Sequence, residues 1–187
     1  KVTASGTFYS SVQYGVKADA RIDFEEVRRL AKEHKPKVIV AGNTAYPFQL
    51  EFEKFRKIAD EVGAWLVADI SHVTGLVVAG VHQSPVPWAD VIMTTTHKTF
   101  RGPRGAMIMV TARGLKRDPE LGKKIDSAII PGLQGGPHNA TTAGIAIAAS
   151  EAMTPAFKKY AKQIRKNADA LAIRLMKQGL ELVGGGT

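Results

Sequence analysis

Asp90-Val91-Ile92-Met93-Thr94-Thr95-Thr96-His97-Lys98-Thr99-Phe100-Arg101-Gly102-Pro103-Arg104 passes within a few residues from an apolar, β-branched run to a cluster of polar and basic side chains. Val91 to Met93 predicts a buried strand. The threonines, His97 and Lys98 then fall just beyond its carboxyl end, where open α/β sheets bind ligands. A lysine in that position can serve as a nucleophilic amine and form a Schiff base with a carbonyl compound. Taken alone, the stretch suits equally a surface strand-to-loop junction with ordinary basic residues. Its flanks have to decide.

Upstream, Ala64 to Ala68 predicts a second strand, ending in Asp69-Ile70-Ser71-His72. The helix before it spans residues 50–62, with Phe52, Phe55, Ile58, Ala59 and Val62 on one face and Gly63 as its stop. Earlier still, Lys37 to Ala41 predicts a buried strand that ends in Gly42-Asn43-Thr44-Ala45-Tyr46. Asp23-Phe24-Glu25-Glu26 is a capping-box pattern for a helix running to about His34, with Phe24, Val27, Leu30 and Ala31 on its apolar face. Residues 1–22 alternate apolar and polar side chains and read as a short strand and turn. Downstream, Gly105 to Val110 reads as an antiparallel or edge strand, because it follows the central one so closely. Strand, helix, strand, helix, strand at this spacing predicts an α/β sheet with parallel neighbours.

Beyond residue 111 the texture changes. A polar segment leads to a glycine-rich loop, Pro131-Gly132-Leu133-Gln134-Gly135-Gly136-Pro137-His138. Asn139 to Met153, small and apolar, predicts a buried helix, and Pro155 to Gln178 a long basic amphipathic one. Residues 180–187 read as the start of another strand. The first residue is Lys1 and the last four are Gly184-Gly185-Gly186-Thr187, so the chain reads as a piece of a longer protein.

The 187 residues, 44% hydrophobic and 23% charged, suit one globular domain with a sizeable core, or two small ones. There is no membrane-length apolar run and no cleavable leader, and a cytoplasmic protein is the simplest fit. With no cysteine, disulfides and thiolate chemistry are excluded. The net charge of +9 admits a phosphate-bearing ligand, a membrane or nucleic acid. Its densest run, Lys158-Lys159, Lys162 and Arg165-Lys166, reads as a solvated helix face, so nucleic acid is not the favoured partner.

Three strand ends carry polar groups: Thr44, then Asp69 with His72, then His97 with Lys98. Each has a plain structural reading, a turn cap for Asp69 and a satisfied core histidine for His72. Gly135 and Gly136 could be a helix entry, or could cradle a phosphate. An Asp and a Lys on neighbouring strands are what pyridoxal phosphate requires: the carboxylate keeps the pyridine nitrogen protonated and the lysine holds the aldehyde. No His-x-x-x-His or His-x-x-Glu spacing occurs near these strands, so a zinc site is not expected.

Asp69-Ile70-Ser71-His72-Val73-Thr74-Gly75-Leu76-Val77, Thr94-Thr95-Thr96-His97-Lys98-Thr99 with Gly102-Pro103-Arg104, and Gly135-Gly136-Pro137 closely resemble serine hydroxymethyltransferases. The likeness extends to Glu33-His34-Lys35-Pro36-Lys37 and to Glu51 through Gly63, and so covers essentially the whole chain. It implies a three-layer α/β/α sandwich with a mostly parallel sheet, the fold type I, aspartate aminotransferase-like large domain, here incomplete. It further implies interconversion of serine plus tetrahydrofolate with glycine plus 5,10-methylenetetrahydrofolate by a homodimer or tetramer.

By the same resemblance, Lys98 would be the Schiff-base lysine and Asp69 the partner of the pyridinium nitrogen. His72 and Thr44 would lie by the cofactor's phenolic oxygen and the substrate carboxylate, Thr44 standing where family members often have serine. Thr96 would help the cofactor exchange amines, His97 would sit beside the ring, and Arg104 would add positive charge near Lys98. Gly135 and Gly136 would bind the cofactor phosphate across a dimer interface. Residues 1–153 would be the central part of the large domain, and 154–187 a helix and first strand leading toward a C-terminal domain. Other pocket residues would lie in segments outside this chain, so the fragment alone is expected to be inactive and to expose apolar surface. Another fold type I enzyme such as threonine aldolase is an alternative, as is a basic non-catalytic module binding RNA or a protein.

Overall fold

A computed structural model describes residues 3–186. Four strands, β1 (Val38–Ala41), β2 (Trp65–Asp69), β3 (Val91–Thr95) and β4 (Ala106–Val110), form one open sheet in the order β1-β2-β3-β4. β1, β2 and β3 run parallel, and β4 returns antiparallel to β3 at the edge. The expected α/β class and mostly parallel sheet are therefore present.

The pairing register sorts the side chains into two faces. Ile39, Ala41, Leu66, Ala68, Ile92 and Thr94 share one face, and all are buried. They pack on α2 (Phe24–His34) and α3 (Phe52–Val62) through Val27, Ala31, Phe52, Phe55, Ile58 and Ala59. The opposite face carries Val38, Val40, Trp65, Val67, Asp69, Met93, Thr95 and Ile108. Val38, Val40 and Ile108 are 46%, 50% and 44% exposed there. Among the described residues, then, the sandwich is closed on one face and largely open on the other.

Local chemistry accounts for the helix ends. Asp23 accepts from the amides of Glu25 and Glu26 at 3.1 and 3.2 Å, capping α2. The reciprocal half of the capping box does not form: Glu26 instead accepts from Gly15 N at 2.7 Å, pinning the preceding segment. α3 stops at Gly63, whose φ of 70° suits glycine. The leading segment is not the expected strand. Thr3 caps a short helix, α1 (Ala4–Phe8), and only an isolated bridge joins Val16 to Ile22. No neighbouring strand pairs with it among the described residues, so the local cap prevails.

Four further helices are α4 (Thr74–Val78), α5 (Ala112–Arg117), α6 (Leu121–Ile129) and α7 (Asn139–Ala152), followed by the long α8 (Pro155–Lys177). α7 is not the buried helix that its composition suggests. Only Ala148 and Ala152 are buried, and Ile147 is 63% exposed. Its inner face meets Phe100 and Phe157 in a small second core, and the rest has no cover among the described residues. After α8 the chain forms a 3-10 turn, Val183–Gly185, where a strand was expected; residues 1, 2 and 187 lie outside the described residues. No described helix is long and apolar enough to cross a membrane.

The base of the sheet is locked by a buried ion pair. Arg56 on α3 donates to Asp90 at 2.9 Å, and Asp90 also accepts from Leu66 N at 2.8 Å. Their side chains are 5% and 2% exposed. One carboxylate thus joins α3, β2 and the residue that opens β3. Removing Asp90 leaves the Leu66 amide without its acceptor and the buried Arg56 with only the exposed Asp60, 2.8 Å away, as counter-ion among the described residues. Asp90→Ala should lower the unfolding free energy by about 3–5 kcal/mol, read as a lower urea midpoint.

Candidate active site at the carboxyl strand ends

The carboxyl ends of β1, β2 and β3 bring most of the candidate residues together. Asp69 closes β2 and pairs in register with Met93, so Asp69, Met93 and Thr95 point to the same, open face. Asp69 is half-buried; its Oδ1 accepts from Ser71 N at 3.0 Å, and Oδ2 has no partner among the described residues. Lys98 is also half-buried and makes no ion pair among the described residues. Its Nζ donates to Thr95 Oγ1 at 3.2 Å. The lysine amine is thereby held on the face that carries the aspartate.

Strand alternation divides the three threonines. Thr94 and Thr96 are fully buried and Thr95 is not. Thr94 bonds to Thr74 of α4, and Thr96 donates to Pro103 O at 2.6 Å. Thr96 therefore fastens the turn that carries His97 and Lys98, and Thr95 is the residue that meets the amine. Counting in twos from the Asp69–Met93 pair leads to Thr95.

His72 Nε2 and Thr44 Oγ1 lie 3.2 Å apart, joining the ends of β2 and β1. The close approach requires Gly42, because a Cβ there would lie 2.6 Å from the Asp69 carbonyl oxygen. Thr99 Oγ1 donates to His72 O at 3.1 Å and accepts from Gly75 N at 3.1 Å, stitching the lysine loop to α4. At Gly75 a Cβ would meet Thr99 O at 2.2 Å, so only glycine lets the helix sit so near. Arg104 lies 3.4 Å from His97 Nε2. Arginine can only donate, so Nε2 accepts and the proton of the neutral ring sits on Nδ1. That Nδ1 is buried and has no partner among the described residues, and the same holds for Asn43 Oδ1. Both are buried polar atoms with bonding capacity to spare.

Gly135 and Gly136 stand apart. They are exposed between α6 and α7, with nothing within 4 Å of a Cβ built on either. Among the described residues no hydrogen bond links them to the strand ends. No group of three or more metal-ligating side chains occurs among the described residues.

Polar side chains, a lysine among them, thus gather at the carboxyl ends of adjacent parallel strands, the position at which open α/β sheets bind ligands. The family model for serine hydroxymethyltransferase matches residues 1–187, and the chain belongs to that family. Over 187 residues it is 53% identical to the serine hydroxymethyltransferase of Desulfotalea psychrophila. It is 56% identical to those of Acidothermus cellulolyticus and of Sorangium cellulosum. All of this chain is covered in each comparison, but only 42–43% of the relative. The chain thus spans about two fifths of the length of these curated relatives.

The loop bearing Thr44 has a second anchor. His82 Nε2 accepts from Leu50 N at 3.2 Å, and Nδ1 lies 3.0 Å from Gln83 O. The Leu50 contact requires the neutral ring, because a protonated Nε2 cannot accept; the Nδ1–H donation to the Gln83 carbonyl does not. Burial holds the His82 pKa below its ordinary 6.5, opposed in part by the Gln83 carbonyl. A depressed histidine pKa gives stability that is present above the unfolded value and is lost as pH falls through the folded one. The urea midpoint should therefore fall as pH drops below about 6.5. His82→Asn, which keeps an acceptor but does not titrate, should remove that part of the pH dependence.

Proposed function

We propose that the full-length parent of this chain interconverts serine plus tetrahydrofolate with glycine plus 5,10-methylenetetrahydrofolate, using pyridoxal phosphate held at Lys98. The supporting observation is that the Lys98 amine, held by Thr95 alone among the described residues, and the half-paired Asp69 carboxylate share one open sheet face at adjacent strand ends. Bound there, the cofactor would supply an electron sink for the amino acid's α-carbon. The unmet groups fit it. Asp69 Oδ2 is free to accept from a protonated ring nitrogen, and His97 Nδ1–H is free to donate.

Each residue then has a part. Asp69 holds the ring-nitrogen proton, and Lys98 is the amine that the substrate displaces. Thr95 orients that amine, while Thr96 keeps the turn beneath it closed. His72 and Thr44 face the phenolic oxygen and the substrate carboxylate, and Arg104 adds positive charge beside His97. Gly135 and Gly136, exposed as they are, suit amide contacts to the cofactor phosphate of a second subunit, which makes a homodimer or tetramer the working state. Residues 1–153 form the central part of the large domain and 154–187 lead toward a further one; the parent works in the cytoplasm. The fragment lacks more than half of a relative's length and is itself inactive.

Assay of the full-length parent tests this directly. Serine cleavage should depend on tetrahydrofolate, and Asp69→Asn should lower kcat by about 10²–10³-fold, as loss of a preorganised electrostatic partner does. Folate-independent cleavage of threonine, with no folate-dependent turnover of serine, would place the parent with the threonine aldolases instead.

A further inference from the structure

β2 ends at Asp69 and the chain turns away at once. In a parallel ladder the next acceptor for β3 would be the Ile70 carbonyl, since Ile70 N already donates to Met93 O at 3.0 Å. That carbonyl is taken by Val73 N at 2.9 Å and by Thr74 Oγ1 at 2.7 Å. The Thr95 amide would be stranded at the edge of the site. Ser71 supplies the missing rung: its Oγ accepts from Thr95 N at 3.0 Å and donates to Met93 Sδ at 3.6 Å. Its own amide donates to Asp69 Oδ1 at 3.0 Å. Ser71 is only 5% exposed, so no solvent competes for these bonds.

We propose that Ser71 is a positioning residue that fixes Lys98 and Asp69 relative to one another. Its amide turns the carboxylate, and its hydroxyl anchors the backbone of Thr95, whose own hydroxyl holds the Lys98 amine. Alanine at position 71 would keep the first link and lose the second. The inference rests on the proposed role of Lys98 for its functional meaning; the anchoring itself does not depend on it.

Hydrogen exchange on the 187-residue chain, with Ser71→Ala and Ser71→Thr, tests it. Loss of the acceptor should speed Thr95 amide exchange on the order of tenfold. Thr96 N, which donates to Gly105 O at 3.0 Å, is the internal control and should not change. Ser71→Thr keeps the hydroxyl and should keep Thr95 slow. Reductive methylation with formaldehyde should modify Lys98 severalfold faster in Ser71→Ala, approaching the rate of exposed Lys158. Unchanged Thr95 exchange, parallel acceleration of Thr95 and Thr96, or unchanged Lys98 methylation would each overturn the proposal. Neither readout uses pyridoxal phosphate. A Lys98 that does not take the cofactor therefore counts against the proposed function and leaves the role of Ser71 to be decided by these rates.

Discussion

The structure depends on how β3 is held at its two ends. At its base, the buried carboxylate of Asp90 bonds Arg56 of α3 and the amide of Leu66 in β2, fixing the strand against a helix and a neighbour at once. An ion pair so deeply buried contributes little net stability against an apolar substitute, but it admits few alternative registers. Register is what the site needs. A one-residue slip of β3 against β2 would turn Thr95 to the helix-covered face, away from Asp69, and bring Thr94 and Thr96 to the open one.

At the far end of the strand, regular pairing gives way to side-chain bonds. Thr74 with Thr94, Thr96 with Pro103, Thr99 with His72 and Gly75, and Ser71 with Thr95 replace the ladder where the backbones diverge. Such a junction can remain ordered while leaving a carboxylate oxygen, an amine and an imidazole N–H available. Gly42 and Gly75 are part of the same arrangement: a side chain at either would push Asp69 or the Lys98 loop away. The open face and the bare outer side of α7 leave apolar side chains exposed, as expected of a chain that spans only two fifths of its relatives.

Much of this is legible in the sequence, for physical reasons. The strands are apolar runs that end in polar residues, and α2, α3 and α8 show apolar residues at helical spacing with caps and stops. The readings that differ come where local pattern and tertiary context part. Alternation in residues 1–22 resembles a strand, but no strand pairs with it among the described residues, and Thr3 caps a helix there instead. Small apolar residues in α7 suggest burial, but its cover is missing. Glu26 could reach back to its own helix, yet Gly15 offers a competing amide. Thr95 was hidden among three threonines until the strand register separated them, and nothing in the sequence alone shows that Ser71 would stand in for a backbone acceptor.

The most direct measurement is to mix the chain with pyridoxal phosphate, reduce it with borohydride and map the labelled lysine. If β2–β3 pairing alone sets Lys98 and Asp69 on one face, the label will be confined to Lys98 and will diminish in Asp69→Asn. Label scattered over surface lysines, and indifferent to Asp69, would contradict that account.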